Sequence, residues 1–573
     1  MADLTGGKIV VQALEREGVE MVFAICGGHI ASIYDALLDS DLQLVSTRHE
    51  QAAVFMAEAS ARLTRKPGVA VVTAGPGFTN ALTAIANAKL AGIPLVVISG
   101  CVATDMVGRL DLQELDQLKV VEPLTKWARR EEDTARIGET LHQAFHQARS
   151  GAPGPVYLEI PADVLGATVK DSAVALARPV ALSRPAGDPD KVAEAVRLLA
   201  QAQRPVLIAG SGVWFAGRVD ALQKFAEASG VPVFTSSLGK GCLSDDHALC
   251  FGPSLPLRPG AALSALTRAD LVLLVGTRIS LFLAYGRIFS PAAKLIAVNL
   301  DPGEISRNRP ADVGIIGDAG RVLEQLAQAG REFISPERFS AWREDLTKAD
   351  AMGKKAFRSQ AESTAVPIHP ARLAHEIDQF LGPEDILALD GGDAQIWMGM
   401  VRRFNAPGHT LESGLFGCLG VGLPYAVAAK LTFPNKRVMA TVGDGSLGFN
   451  LMELQTAISL KLPIVVVVFN DQAWGMVMHS QTLRYGKERC IGVDLGDVPY
   501  HKICETLGGY GEEVHEPQEI RPALMRAFAA EKPAVINVYI DREVISPGSM
   551  ALAAIGRKTD ISALSKLVGG GSQ

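Results

Sequence analysis

Arg437-Val-Met-Ala-Thr-Val442-Gly443-Asp444-Gly445-Ser446 is followed, 27 positions after Asp444, by Asp471 at the end of Ile464-Val-Val-Val-Val-Phe-Asn470. Each piece is a short aliphatic, β-branched run that stops at Gly or Asn, which is how a buried strand reads. Between them Asn450 to Leu460 has apolar residues at helical spacing, so the stretch predicts a strand, a crossover helix and a second, parallel strand. A right-handed crossover brings both strand ends to one edge of the sheet. Asp444 and Asp471 are therefore expected to end neighbouring strands, where two carboxylates can meet one cation. A hard ion such as Mg²⁺ takes oxygen ligands and completes its shell with phosphate and water. The glycines around Asp444 let backbone N–H groups approach a diphosphate.

The same rhythm of aliphatic run, Gly or Pro turn and helical pattern recurs outward from this stretch, and it predicts an α/β protein with three doubly wound parallel-sheet domains. The expected divisions are 1–180, 190–345 and 366–545, followed by a tail over 546–573. In the first third Met21 to Ile25, Leu42 to Ser46, Val69 to Thr73 and Pro94 to Gly100 read as strands, and Pro179 to Asp190 reads as a linker. In the middle third the strands are Val206 to Ala209, Val231 to Thr235, Leu271 to Val275 and Lys294 to Asn299. Gly210-Ser-Gly212 and Gly276-Thr-Arg278 follow two of them. Those glycines either turn the chain or admit a nucleotide at the carboxyl edge of the sheet. A charged helical stretch from Glu337 to Glu362 leads to the boundary at Val366-Pro367, and the last third adds strands at Ile386 to Leu389 and Ala534 to Tyr539. No P-loop or well-formed G-x-G-x-x-G follows any strand, which argues against NTPases and dehydrogenases.

With 573 residues, a net charge of −6 and no clustered basic segment, the chain offers no field for nucleic acid or an anionic membrane. Its apolar runs are far shorter than a membrane span. Seven cysteines without a C-x-x-C pair indicate neither a disulfide framework nor a zinc site. The N-terminus lacks a signal core, so a cytoplasmic protein is expected.

Four further segments carry candidate chemistry. Thr47-Arg48-His49-Glu50 ends a strand and opens a helix, and Thr73-Ala-Gly75-Pro-Gly-Phe-Thr-Asn80 is a Gly-rich turn. Glu412-Ser-Gly-Leu-Phe-Gly417-Cys-Leu419-Gly420-Val-Gly422 and Asp390-Gly-Gly392-Asp393 are two more. Together with the Asp444 to Asp471 stretch they resemble the thiamine diphosphate enzymes of the acetolactate synthase superfamily, whose signature is G-D-G, some two dozen residues, then Asn-Asn. Family members usually carry Asn where this chain has Asp471. The resemblance implies that Asp444, Asp471 and the carbonyl of Ala473 hold Mg²⁺. It implies that Gly392, Asp393, Gly443, Gly445, Ser446, Trp474, Gly475 and Met476 surround the diphosphate end of thiamine diphosphate. Glu50 would hydrogen-bond the aminopyrimidine N1′, beside Gly75 and Asn80. Gly417 would receive the 4′-amino group, and Leu419 would wedge the cofactor into its bent form. A homodimer or homotetramer with the active site at the subunit interface is implied as well.

Gly27-Gly28-His29-Ile30 and Leu112-Gln113-Glu114 look like benzaldehyde lyase and the 2-hydroxyacyl-CoA lyases, in which a His and a Gln stand at the matching places, and Leu281 to Arg287 resembles the 2-hydroxyacyl-CoA lyases more than the synthases. This implies a carbon–carbon lyase or carboligase acting on an aldehyde, a 2-hydroxy ketone or a 2-hydroxyacyl-CoA, with Glu50, His29 and Gln113 as catalytic residues. The plainer reading of His29 is a capping or core histidine. An acetolactate synthase and a non-catalytic regulatory homologue are the alternatives. The middle domain could take ADP, CoA or FAD. The tail, with Arg557, Lys558 and Lys566, could close over a long substrate or be a solvated terminus.

Overall fold

The computed structural model describes residues 3–255 and 258–555. It contains three six-stranded sheets in which every strand pairing is parallel, and a small antiparallel pair, Asp3–Thr5 with Thr168–Lys170. The first sheet runs, edge to edge, Gln43–Ser46, Met21–Ala24, Gly68–Val72, Leu95–Cys101, Pro155–Pro161, Trp127–Arg130. The second runs Cys250–Pro253, Val233–Thr235, Pro205–Ala209, Leu271–Val275, Lys294–Asn299, Val313–Ile316. The third runs Thr410–Glu412, Ile386–Leu389, Val438–Gly443, Val465–Asn470, Ala534–Tyr539, Tyr510–Val514. This is the doubly wound α/β class predicted for all three.

Numbered in chain order, the first and third sheets share the order 2-1-3-4-6-5, and the second has 3-2-1-4-5-6. Each therefore reverses direction next to its first strand, the first and third sheets turning back once more after their fifth strand, and ligands of such sheets bind beyond the strand carboxyl ends at the reversal by the first strand. Helices cover the sheets and seal them. Gly68–Val72, Leu95–Cys101 and Leu271–Val275 are buried at every position, which is why they read as continuous apolar runs rather than alternating ones.

By packing, the chain divides into two compact units. The first comprises Met1–Ser183, Ser413–Asn435 and Asn450–Leu462, and the second comprises Arg184–Glu412, Lys436–Phe449 and Pro463–Gln573. The first sheet lies in the first unit and the other two lie in the second.

Several expectations need correction in detail. Asp444 does not end a strand; the strand stops at Gly443, and Asp444 opens the helix Asp444–Phe449. The single helix expected over Asn450 to Leu460 is the shorter Glu453–Ser459. The second strand ends at Asn470, one residue before Asp471. The charged helix runs over Ser340–Ala361, and the linker persists until Asp188 caps the helix Pro189–Gln201. In the tail, Pro547–Ile555 forms a helix, whereas Arg557, Lys558 and Lys566 lie outside the described residues. No described helix is long and apolar enough to cross a membrane.

Candidate active site

In the first unit, Glu50 stands at the first position of the helix Glu50–Thr64. His49 precedes it with extended backbone, and its imidazole Nδ1 accepts the Gln51 N–H at 3.1 Å. This cap satisfies one of the donors a helix start leaves open. The Glu50 carboxylate is half-buried. Its Oε2 accepts from the Asn80 side-chain amide at 3.0 Å, so Asn80 orients Glu50.

Gly75 lies in left-handed backbone (φ 56°) at the start of the helix Pro76–Ala91, and its N–H donates to Oε1 of Gln117 at 2.8 Å. That N–H is thus committed to the protein. A side chain at Gly75 would meet Gln113 at 2.8 Å, which places Gln113, itself at φ 65°, directly against this turn. Gln117 is buried and also donates to the Gly100 carbonyl at 3.1 Å, the Tyr157 hydroxyl at 2.8 Å and Glu159 at 3.0 Å. It was not singled out in the sequence, because a lone Gln at the start of a short helix gives no pattern.

His29 belongs to the turn Gly28–Ile30 after the first strand, and its side chain caps no helix. It packs over Gly100, where a Cβ would come within 2.6 Å of it, and its Nδ1 lies 3.4 Å from the Thr73 hydroxyl. Thr73 in turn borders Gly77, where an added carbon would lie 2.7 Å from Thr73 and 3.4 Å from Glu50 Oε1. His29 and Glu50 therefore flank one threonine.

Gly417 ends a short turn at φ 71°, open enough that a Cβ would meet nothing within 4 Å. Leu419 is half-buried just before the helix Gly422–Thr432. That helix is anchored through Tyr425. Its hydroxyl donates to Glu58 at 3.0 Å in a fully buried cluster where Arg62 pairs with Glu58 at 2.6 Å and Asn87 donates to both Glu58 oxygens.

In the second unit, the reversal point of the third sheet gathers the other candidates. Gly443 and Phe469 are register partners, so the residues just beyond them leave the sheet side by side. Gln472 in left-handed backbone (φ 57°) turns the chain back, and the Ala473 N–H then faces both carboxylates, Asp444 Oδ2 and Asp471 Oδ1, each at 3.2 Å. The Gly445 N–H donates to Asp444 at 2.8 Å, and the Tyr500 hydroxyl fixes the Asp444 carbonyl at 2.9 Å. Tyr500 was invisible in the sequence, since it comes from a helix 56 residues later.

At four glycines around these turns a side chain would collide. A Cβ at Gly391 would sit 2.9 Å from the Gly443 nitrogen, one at Gly475 2.0 Å from Asp471 Oδ2, one at Gly445 2.5 Å from the Trp474 ring, and one at Gly392 2.7 Å from Met476 sulfur. Ser446 turns its hydroxyl onto the Gly443 carbonyl at 2.9 Å. Asp393 is bound within the protein. Its carboxylate is engaged by His479 at 2.8 Å and by the hydroxyls of Ser546 and Ser549 at 2.6 and 2.7 Å, so its side chain ties down the C-terminal helix. Burial alone would lower the His479 pKa, but the bond and charge of Asp393 outweigh it and raise it.

These residues fit a divalent cation with a diphosphate. Burial, and then the charge of Asp471, pushes the Asp444 carboxyl well above the usual range, and burial does the same to Asp471. Two carboxylates in want of positive charge, beside turns kept free of side chains, are the donor set a hard ion uses. Among the described residues no cluster of three or more His, Cys, Asp or Glu could hold a metal. Two carboxylates would thus need further oxygens from backbone, water or phosphate.

At the reversal of the second sheet the glycines press on one another. A Cβ at Gly210 would lie 2.5 Å from the Gly276 carbonyl, and one at Gly212 2.6 Å from Gly276 Cα. Close packing accounts for them without ADP, CoA or FAD.

Family models match all three sheets: the thiamine pyrophosphate enzyme N-terminal TPP binding domain over residues 4–120, the central domain over 192–326, and the C-terminal TPP binding domain over 390–538. An acetolactate synthase large subunit of Mycobacterium tuberculosis is 34% identical over 551 residues, covering 96% of this chain and 98% of that one. A probable acetolactate synthase large subunit of Methanocaldococcus jannaschii is 34% identical over 552 residues, 94% of this chain and 92% of that one. A 2-hydroxyacyl-CoA lyase 2 of Danio rerio is 33% identical over 592 residues, 96% of this chain and 93% of that one. Thiamine pyrophosphate is thiamine diphosphate, and the chain belongs to the thiamine diphosphate enzymes of the acetolactate synthase superfamily.

Proposed function

We propose that this enzyme is a carbon–carbon lyase, or carboligase in reverse, acting on a 2-hydroxy ketone or a 2-hydroxyacyl-CoA. The observation that carries the reading is the place of His29, across Thr73 from Glu50. When bound, thiamine diphosphate supplies a nucleophilic carbon and an electron sink for breaking a bond next to a carbonyl. Cleavage of a 2-hydroxy compound also requires a base for the hydroxyl proton, and a half-buried imidazole free of helix capping suits that task. Glu50, held by Asn80, would hydrogen-bond the aminopyrimidine. Gln113, set against the Gly75 turn, would bind the substrate oxygen. Asp444, Asp471 and the Ala473 carbonyl would hold Mg²⁺, with backbone of the Gly391, Gly443 and Gly445 turns facing the diphosphate. Gly417 and Leu419 would meet the two rings of the cofactor.

A second reading, acetolactate synthase, is supported by relatives of that name at 34% identity. Incubating the Mg²⁺- and thiamine diphosphate-loaded enzyme with a benzoin, a 2-hydroxyacyl-CoA and pyruvate in parallel separates the two. Aldehyde release from either hydroxy substrate supports the lyase, and acetolactate from pyruvate without any such cleavage refutes it. A homodimer or homotetramer with the site at the subunit interface is part of the proposal, and sedimentation equilibrium tests the assembly.

A further inference from the structure

The turn that presents Glu50 is gripped by a segment of chain four hundred residues away in sequence. Glu453, only 1% exposed, accepts the Arg48 N–H at 2.8 Å and the His49 N–H at 3.2 Å with one carboxylate oxygen. Its other oxygen accepts the Thr456 hydroxyl at 2.6 Å. Asn450, also buried, donates through one side-chain nitrogen to Gln51 Oε1 at 3.1 Å and to the Gly420 carbonyl at 2.7 Å. One short stretch, Asn450 to Glu453, thus holds the residues on both sides of Glu50 and the glycine that closes the Gly417 loop, all within the first unit.

Packing alone does not call for an acid here. Burying a carboxylate is costly unless hydrogen bonds satisfy it, and an apolar residue would fill the same space more cheaply. Burial does push the Glu453 carboxyl above its ordinary range, opposed by the bonds from Thr456, Arg48 and His49. What the acid supplies is one charge-assisted acceptor oxygen that takes both N–H groups of the turn just before the helix.

We propose that Glu453 is a positioning residue for the reaction. By clamping the Arg48 and His49 amides, with Asn450 steadying Gln51 and Gly420, it fixes the direction in which the Glu50 carboxylate is offered. The proposal rests on the reading of Glu50 given above.

The test measures hydrogen exchange at the Arg48 and His49 amides in cofactor-free protein, alongside steady-state kinetics of the loaded enzyme, for Glu453→Ala and Glu453→Gln. In the alanine variant both amides should lose protection. kcat should fall roughly 10²-fold, as expected for a catalytic group displaced by about 1 Å, with KM changed far less. The glutamine variant should keep the protection and most of kcat, because its amide oxygen still accepts both N–H groups. Should the alanine variant not fold, the glutamine variant alone decides: lost protection or a kcat as low as 10²-fold down overturns the clamp. Retained protection in the alanine variant, or lost protection with unchanged kcat, overturns it too. Full turnover by Glu50→Gln combined with lost amide protection in Glu453→Ala would refute the role of Glu50 and leave the clamp standing.

Discussion

Replacing Asp471 with Asn tests the paired carboxylates without a cofactor. Asp444 and Asp471 each place an oxygen 3.2 Å from the same Ala473 N–H, so these oxygens are at most about 6.4 Å apart. At an effective dielectric of ~20, two unit charges at that separation repel by about 2.6 kcal/mol, and more if they are closer. In chelator-treated protein the Asn variant should therefore be more stable than the parent by roughly 2–3 kcal/mol at mildly alkaline pH. The sign with pH follows from linkage. Both carboxyls have folded-state pKa values raised above their unfolded ones, that of Asp444 to about 8, so the folded protein holds more protons than the unfolded chain. Stability must then fall as pH rises from the ordinary carboxylate range toward 8, and its full value is present only at the acidic end. The Asn variant should show a flatter profile. Mg²⁺ should reverse the order, because it neutralises the pair in the parent and displaces its proton. Urea unfolding at several pH values, and calorimetric Mg²⁺ titration in two buffers to count released protons, give the readouts. An Asn variant that is less stable without metal at alkaline pH, or that keeps the parent's pH slope, would refute the paired-carboxylate reasoning.

Glu50→Gln should retain cofactor, measured by equilibrium dialysis, while turnover drops by roughly 10²- to 10⁴-fold, the range a positioned proton-transfer group supplies. His29→Ala should lose a similar factor, roughly 10²- to 10⁴-fold, in cleavage of 2-hydroxy substrates, without affecting exchange of the cofactor C2 proton followed by NMR. Gly475→Ala introduces a carbon 2.0 Å from Asp471 Oδ2, so the carboxylate must move and Mg²⁺ affinity, read by calorimetry, should collapse. Arg62→Met leaves Glu58 buried without its guanidinium partner and should destabilise the fold by roughly 3–5 kcal/mol in denaturant unfolding.

The sequence made most inner strands legible, and the edge strand Gln43–Ser46 as well, but not the buried Pro155–Pro161. Leu271–Val275, Lys294–Asn299, Ile386–Leu389 and Ala534–Tyr539 were read to the residue because each has an apolar, mostly buried run at its centre. Trp127–Arg130 and Tyr510–Val514 are edge strands rich in Arg or Glu, so no hydrophobic period marks them. The same holds for the site. Asp444 and Asp471 could be found from spacing, and Glu50 from the resemblance of the Arg48-His49-Glu50 segment to the family's. Gln117, Tyr500, Asn450 and Glu453 act through hydrogen bonds to distant backbone, which no local pattern encodes. Asp393 illustrates the opposite failure: it sits inside a recognisable motif, yet its carboxylate serves two serines and a histidine.

The glycines alone would have misled, because all three sheets share them. In each, the turn after the first strand touches the turn across the reversal: Gly27 meets Thr73, Gly210 meets Gly276, and Gly391 meets Gly443, each too closely for a side chain. That contact is a packing requirement of the doubly wound sheet, where two strand ends diverge at the reversal and their loops fall together. Chemistry enters with what the same turns carry besides glycine. In the first sheet they bring an imidazole and a hydroxyl, His29 and Thr73, with Glu50 opening the helix that follows the neighbouring strand. In the third they bring Asp444, and Asp471 from the next strand along, whose carboxylates share one N–H. In the second sheet the touching glycines are flanked by Ser211 and Thr277, with no carboxylate pair and no histidine within the turns. On the proposed reading the same kind of reversal would serve proton transfer in the first sheet and cation and phosphate in the third, while in the second the touching glycines serve packing.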